Sequence, residues 1–378
     1  MKKLTVIQTL PALDAGGVER GTLEIARALV AAGHRSIVIS NGGRLVKQLE
    51  AEGSEHITLP VHKKSLASLW QVTPFRQLLT DIQPDILHAR SRVPAWIAWL
   101  AWRKLPANTL SQHHRPHFVT TVHGLYSVSP YSAIMTKGER VIAVSNTVQE
   151  YILKNYPQCP TEKIQVIYRG VSAAEFPHGY QPSHAWLNQW QKDYPQLAGK
   201  IVLTLAGRIT RLKGHEAFIT LIEELIKSKQ SIHGLIVGGA EAKKTAYLNE
   251  LKQLIHAKGL EQHISLIGHR SDMREVFSQS DIAYSLSSQA ETFGRTTLEA
   301  LSIGTPVIGW NHGGVGEILT TCYPQGAVTL QDMTELMAKS IQLIQQPNPP
   351  KPISAFRLDA MCSDTLAVYE KLSHSKYE

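Results

Sequence analysis

Short, almost wholly apolar runs alternate with helical patterns along most of this sequence, and that alternation confines the chain to a parallel α/β architecture. Leu4–Gln8, Ser36–Ser40, Ile86–Ala89, Phe118–Val122, Arg140–Ala143 and Ile164–Ile167 read as strands, with helical spacing between them at Gly21–Ala32 and Ala95–Lys104. Strands apolar at nearly every position need cover on both faces, which a doubly wound sheet with helices above and below provides. The stretch Phe176-Pro-His-Gly-Tyr-Gln-Pro182 interrupts the pattern as a linker does. The alternation then resumes through Ile201–Leu205, Gly234–Val237, Ile264–Ile267, Asp281–Leu286 and Thr305–Gly309. A Pro-rich segment, Gln346–Pro352, precedes a last expected helix over Ala355–Leu372. A chain of 378 residues is long enough for two such halves, each with its own core.

Hydrophobic content of 43% and charged content of 19% are those of an ordinary soluble protein. The three cysteines (Cys159, Cys322, Cys362) are scattered without C-x-x-C spacing, so they read as reduced residues of a cytosolic protein, neither a disulfide framework nor a metal site. The opening M-K-K-L-T-V-I-Q-T-L-P is interrupted by Gln8 and Thr9, and reads as a first core strand in place of a signal peptide. Val93–Trp102, the longest strongly apolar run, is about half of what a bilayer span needs, so no membrane crossing is expected.

In open α/β sheets ligands collect beyond the carboxyl ends of the strands. The richest tip is Ser288–Gly304, S-Q-A-E-T-F-G-R-T-T-L-E-A-L-S-I-G, where Glu291 and Glu299 bracket a Phe-Gly pair and a helix is expected to start after Gly294. A helix N-terminus offers free N–H groups and positive potential to a phosphate. Upstream, the strand Ile201–Leu205 runs into A-G-R-I-T-R-L-K-G-H, which puts Arg208 and Lys213 beyond another strand end. Cations there suit a leaving group that gathers negative charge.

Together these two motifs resemble those of the retaining glycosyltransferases of family 4: a Glu-x7-Glu signature and a G-R-x4-K-G phosphate clamp, in the same order. The resemblance covers nearly the whole chain and implies the GT-B fold, two Rossmann-like doubly wound parallel-sheet domains facing a cleft. Residues 1–178 would be the acceptor-binding domain, joined by the last helix over 355–378, and residues 179–354 the domain that binds the nucleotide-sugar donor. Carried over residue by residue, Glu291 lies beside the donor hexose and Glu299 holds the ribose. Phe293, Gly294, Arg295, Thr296 and Thr297 meet the diphosphate, and Gly207, Arg208, Lys213 and Gly214 form the clamp. Gly238 and Gly239 match a glycine-rich turn near the donor, while His269 and Arg270 follow a strand whose tip reads the nucleobase. In the first half, Gly16 and Gly17 match a Gly-Gly turn near the donor phosphates, and His123 matches a histidine beside the donor sugar. Asn311–Glu317 resembles a G-G-x-x-E segment whose glutamate caps the next helix. One departure stands out: Tyr168-Arg169-Gly170-Val171-Ser172 occupies the place of a usual Asn-Gly-Val-Asp.

The catalytic set implied is His123, Arg208, Lys213 and Glu291, with no cofactor and a UDP- or GDP-sugar as donor substrate. No Asp-x-Asp sequence is present, so metal independence is expected, and the run His113-His114-Arg115-Pro116-His117 lacks metal-site spacing. Gly16-Gly17 is a poor dinucleotide fingerprint, since Ser40-Asn41 stands where an acid is needed. Two alternatives stay open: another GT-B enzyme such as a nucleotide-sugar epimerase, which donor-only incubation would expose, and a non-catalytic sugar-nucleotide binding protein, which has no need of His123 or Glu291.

Charge points to the acceptor. Residues 1–178 carry 20 Lys and Arg against 12 Asp and Glu, whereas the remainder carries 19 of each, so the whole net charge of +8 lies in the first half. Lys63, Lys64, Arg90, Arg92, Arg103, Lys104 and Arg115, interleaved with Trp96, Trp99 and Trp102, are candidates for a basic, aromatic face toward anionic lipid. The expected acceptor is an anionic or lipid-linked glycan such as a lipopolysaccharide core, reached from the cytoplasmic face of the membrane. No nucleic-acid reading motif accompanies the charge.

Overall fold

The computed structural model describes residues 2–14, 16–105, 115–240 and 245–374. The chain divides into two compact units, Met1–Arg169 with Leu358–Glu378, and Gly170–Arg357.

The first unit runs β1 (Thr5–Thr9), α1 (Gly17–Ala31), β2 (Arg35–Ser40), α2 (Val46–Ala51), β3 (Glu55–Thr58), α3 (Val72–Ile82), β4 (Ile86–Ala89), α4 (Arg92–Trp102), β5 (His117–Val122), β6 (Arg140–Ala143), α5 (Asn146–Asn155) and β7 (Ile164–Val166). The second runs α6 (His184–Asp193), β8 (Ile201–Ala206), α7 (His215–Lys227), β9 (Ile232–Val237), α8 (Ala246–Ala257), β10 (Ile264–Gly268), α9 (Met273–Ser278), β11 (Ile282–Ser285), α10 (Arg295–Ile303), β12 (Val307–Trp310), α11 (Gly313–Cys322), β13 (Ala327–Val328) and α12 (Met333–Gln345). The last helix, α13 (Leu358–His374), belongs to the first unit.

All named pairings are parallel. The seven-stranded sheet has the order β3-β2-β1-β4-β5-β6-β7, and the six-stranded sheet the order β10-β9-β8-β11-β12-β13. These are the two doubly wound Rossmann-like sheets that the alternating pattern predicts. Each central strand is buried on both faces: Ile86–Ala89 and His117–Val122 are buried at every position. Two edge strands, β3 and β13, escape a reading based on apolar runs. β3 is Glu-His-Ile-Thr with no fully buried residue, and β13 is only two residues long.

Residues 170–178, which the linker reading counts with the first half, pack with the second unit. Val171 N–H donates to Phe356 O (3.1 Å), His178 Nε2 meets Pro350 O (2.9 Å), and Arg274 reaches Glu175 O (3.1 Å). The expected last helix begins three residues later than its pattern, at Leu358. It lays Met361, Val368, Tyr369 and Leu372 against Leu4, Val6, Ile25 and Ile86 of the first unit. Tyr369 also reaches into the sheet, its hydroxyl 2.6 Å from His88 Nδ1, while His88 Nε2 lies 2.7 Å from Thr121 Oγ1. Burial, reinforced by Arg90, holds His88 well below its ordinary pKa, so it stays neutral.

The three tryptophans expected on a basic face are partly buried. Trp96, Trp99 and Trp102 pack against the first core, with Trp96 Nε1 donating to Tyr131 O (2.9 Å) and Trp102 Nε1 to Pro116 O (2.7 Å). Arg103 and Arg115 lie over these rings, Arg115 at 3.8 Å from the Trp102 centroid. Arg90, counted with the basic face, is 4% exposed and donates to Gln8 Oε1 at 2.8 Å. The residues of α4 that are fully buried are Pro94, Ala95, Ile97, Ala98 and Ala101, so the indoles flank that stripe and are only partly covered. Among the described residues no helix is long and apolar enough to cross a membrane.

Candidate functional site

In the second unit the strand order reverses between β8 and β11, and the loops leaving the carboxyl ends of these strands carry the residues in question. Three loops are tied edge to edge. Gly207 N–H donates to Val237 O (2.9 Å), Ile209 N–H to Gly239 O (3.1 Å), and Gly238 N–H to Gly268 O (2.8 Å). Gly207, Arg208, Gly238, Gly239 and His269 thus share one edge of the sheet, with Arg208 and His269 exposed. Arg270 is engaged beside it. Its Nε donates to Asp272 Oδ1 at 2.8 Å, a bond that raises its pKa, and its guanidinium lies 5.5 Å from the Trp190 ring centroid.

A turn at Arg211–Lys213 and then Gly214 lead into α7. Gly214 has φ +77°, and a Cβ there would stand 2.0 Å from Leu286 O, so no other residue fits without moving the loop after β11. That close approach lets Ser288 N–H donate to Leu212 O (2.9 Å) and brings Lys213 Nζ within 2.7 Å of Glu291 Oε1. The Ser287 hydroxyl donates to the same oxygen. Both charged side chains are about three-quarters buried, Lys213 at 26% and Glu291 at 22% exposure. On its other side the loop pairs with the start of α11, Gly314 N–H donating to Glu291 O (2.8 Å).

Helix α10 opens at Gly294, whose backbone is left-handed (φ 95°), with no side chain capping its first turn. Its free N–H groups and dipole therefore face the same loop as the Lys213–Glu291 pair. Phe293 is buried against Phe356 (ring centroids 5.8 Å apart) and anchors this entry. Thr296 is half-buried, and the Thr297 hydroxyl is buried without a hydrogen-bond partner among the described residues. Glu299, one turn in, is buried and accepts from Arg295 Nε at 3.0 Å. Glu317, expected to cap the following helix, lies inside α11, which starts at Gly313 with His312 as its N-cap.

In the first unit the sheet reverses between β1 and β4, and Gly16 and Gly17 open α1 at that edge. His123 follows β5. Its Nδ1 lies 2.7 Å from Arg169, and the same guanidinium donates to Gly17 O at 2.6 Å. Burial, followed by Arg169, Arg90 and His88, holds the His123 imidazole well below its ordinary pKa. Gln8, which interrupts the first apolar run, is buried to accept from Arg90 and donate to Thr22 O (3.2 Å). Arg169 and Ser287 are the polar contacts that motif reading missed. Arg169 had one signal, a guanidinium where the pattern has Asn. His113 and His114 lie outside the described residues, while His117 meets Glu139 at 2.7 Å.

A model of Glycosyltransferase Family 4 matches residues 15–175, and a model of Glycosyl transferases group 1 matches residues 188–355. The phosphatidylinositol N-acetylglucosaminyltransferase GPI3 subunit of Saccharomyces cerevisiae is 24% identical, over 87% of this chain and 73% of its own length. Among solved structures, a glycosyltransferase from Rickettsia africae superposes with a TM-score of 0.85 at 29% identity, covering 98% of this chain and 99% of that one. Anabaena HepE in complex with UDP-glucose superposes with a TM-score of 0.74 at 19% identity, covering 98% and 99%, and shares the fold.

Proposed function

We propose that this chain, a member of the glycosyltransferases built from a family 4 domain and a group 1 domain, moves a hexose from a nucleotide sugar to an anionic, lipid-linked glycan with retention of anomeric configuration. The observation that carries the donor half of this reading is the Lys213–Glu291 pair beside the uncapped start of α10. A diphosphate at that start takes the α10 amides of Gly294–Thr297 and the charges of Arg208 and Lys213. Glu291, steadied by Ser287, accepts from hexose hydroxyls, and Glu299 accepts from the ribose. Gly207, Gly238, Gly239, His269 and Arg270 border the nucleoside, and Gly16 and Gly17 offer backbone to the phosphates. His123 donates to a sugar oxygen. As the bond from the anomeric carbon to the diphosphate breaks, the growing charge on the leaving oxygen meets cations and dipoles already in place. The acceptor hydroxyl then bonds to the same face, its O–H proton passing to the oxygen of the departing diphosphate. HepE, with its bound UDP-glucose, supports a uridine nucleotide as the first donor to try.

For the acceptor, the support is a depression of about 460 Å³ in the first unit, lined by Leu69, Val93, Trp96, Ile97 and Tyr131 and rimmed by Lys63 and Lys64. Trp70, next to Leu69, is 80% exposed. An apolar hollow with ammonium groups at its edge suits a lipid-linked phosphate, a lipopolysaccharide core among the candidates, met at the inner face of the cytoplasmic membrane. The test of the whole reading is a thermal-shift panel of UDP-, GDP- and ADP-sugars, followed by transfer with the stabilising donor and determination of the product anomer. Stabilisation by none of them, or an inverted product, would refute it; product formed from donor alone would favour an epimerase.

A further inference from the structure

Arg169 occupies a position where the sequence departs from its family pattern, yet its guanidinium makes two short contacts at the carboxyl edge of the first sheet. One goes to Gly17 O (2.6 Å) and the other to His123 Nδ1 (2.7 Å). A Cβ on residue 17 would stand 2.7 Å from that guanidinium, so the glycine leaves the room in which Arg169 lies. A guanidinium has donors only. The ring nitrogen facing it must therefore supply a lone pair, and a neutral imidazole with its lone pair on Nδ1 carries its proton on Nε2. We infer that Arg169 is a positioning residue: it holds His123 in the neutral form with the proton on Nε2, so that the ring carries a hydrogen-bond donor and no spare lone pair.

The surroundings agree from each element packed there. Arg90 and His88 come from the end of β4, Arg169 from the segment after β7, and Gly17 from α1. Tyr126, in the loop after β5, accepts from the His123 backbone N–H at 3.4 Å. Burial, Arg169, Arg90 and His88 all disfavour the imidazolium. Two consequences follow. His123 has no lone pair to spare, because Nδ1 is occupied and Nε2 carries the proton, so it is not the base that receives a proton from an attacking hydroxyl. Its partner must be an oxygen with a lone pair, a sugar hydroxyl or carboxylate; a deoxy sugar at that position loses the bond.

The functional meaning rests on the reading of His123 as a sugar contact, whereas the tautomer does not. Long-range ¹H–¹⁵N correlation on the full-length protein with ¹⁵N-labelled histidine reads the tautomer directly, His123 being assigned by its loss in His123→Asn. The wild type should give one signal set with the proton on Nε2 and no titration between about pH 5 and 8. In Arg169→Met the ring should become a tautomer mixture, its midpoint should rise, and the acid limb of kcat/KM should move up by ~1 pH unit, as loss of one neighbouring cation implies. Arg169→Lys, still a charged donor, should restore both. A wild-type His123 protonated on Nδ1, or titrating near its ordinary value, overturns the inference whether or not any variant folds. An unchanged spectrum in Arg169→Met overturns it as well. Unaltered kcat and KM in His123→Asn would instead defeat the sugar contact and leave the spectrum to decide the tautomer alone.

Discussion

Replacing Lys213 by alanine separates the two roles proposed for its ammonium. Nζ lies 2.7 Å from Glu291 Oε1, with both side chains about three-quarters buried. At an effective dielectric of about 20, that distance corresponds to roughly 6 kcal/mol of gross attraction. Desolvation and the ordering of a long side chain offset most of it, leaving about 1–2 kcal/mol of stability. The proposed catalytic share is larger. A fixed cation beside a departing diphosphate acts where charge develops, and its removal should cost about 3 kcal/mol of transition-state stabilisation, on the order of 100-fold in kcat. The assay is kcat at saturating donor, with melting temperature followed in parallel for Lys213→Ala, Glu291→Gln and the double variant. Glu291→Gln in the Lys213→Ala background removes a carboxylate left without its ammonium, so part of the lost stability should return while kcat stays low. Should Lys213→Ala keep kcat within about threefold of wild type, the leaving-group role is refuted. Recovery of kcat together with stability in the double variant would reduce Lys213 to a strut for Glu291.

Gly214→Ala should cost several-fold in donor affinity beyond any loss of stability, because its Cβ would meet Leu286 O at 2.0 Å and displace the loop that carries Glu291; donor titration calorimetry measures it, and unchanged affinity contradicts the packing argument. Acid should destabilise the second unit: burial pushes His215 and His233 down to about 4, so the unfolded chain takes up protons first and stability falls as pH drops from about 6.5 to about 4, by up to ~3 kcal/mol for each ring. Urea melts across that range check the slope, and a flat profile opposes it. Transfer should survive EDTA, since side chains and a helix start are proposed to meet the diphosphate charge; strict dependence on added Mg²⁺ or Mn²⁺ would sink that mechanism. Lys63→Glu with Lys64→Glu should weaken co-sedimentation with anionic vesicles at low salt and leave neutral vesicles unaffected; equal binding by both proteins removes the basis for an anionic lipid partner.

Much of this fold was readable because parallel strands buried on both faces announce themselves as apolar runs. Ile86–Ala89 and Arg140–Ala143 have the same bounds in sequence and structure, and the helix after Gly294 starts where expected. Elements that escaped have weaker physical signatures. β3 is polar because it lies at a sheet edge, and α1 starts four residues before its apolar pattern because its first turn, Gly17–Arg20, has no fully buried residue. Spacing could locate Lys213 and Glu291 on their loops, but their direct pairing depends on the approach of Gly214 to Leu286, a contact between segments about seventy residues apart. Arg90 and the tryptophans mark the opposite limit. Composition gives a basic, aromatic segment, while burial decides that Arg90 serves Gln8 inside the sheet and that the indoles are partly covered against the first core.

The place of α13 carries a consequence for synthesis. The first sheet emerges from the ribosome well before the helix whose Tyr369 closes over His88 and whose Met361, Val368 and Leu372 cover Leu4 and Ile86. All of Gly170–Arg357 lies between them in the chain. At about 5–20 residues per second, the earlier-made sheet waits roughly ten to forty seconds for its final cover. During that interval one apolar face remains open and a buried histidine lacks its hydroxyl partner, while the later-made unit already has all its strands. The half of the protein made first is therefore the last to be completed, and it is the half for which a nascent chain has most need of a chaperone.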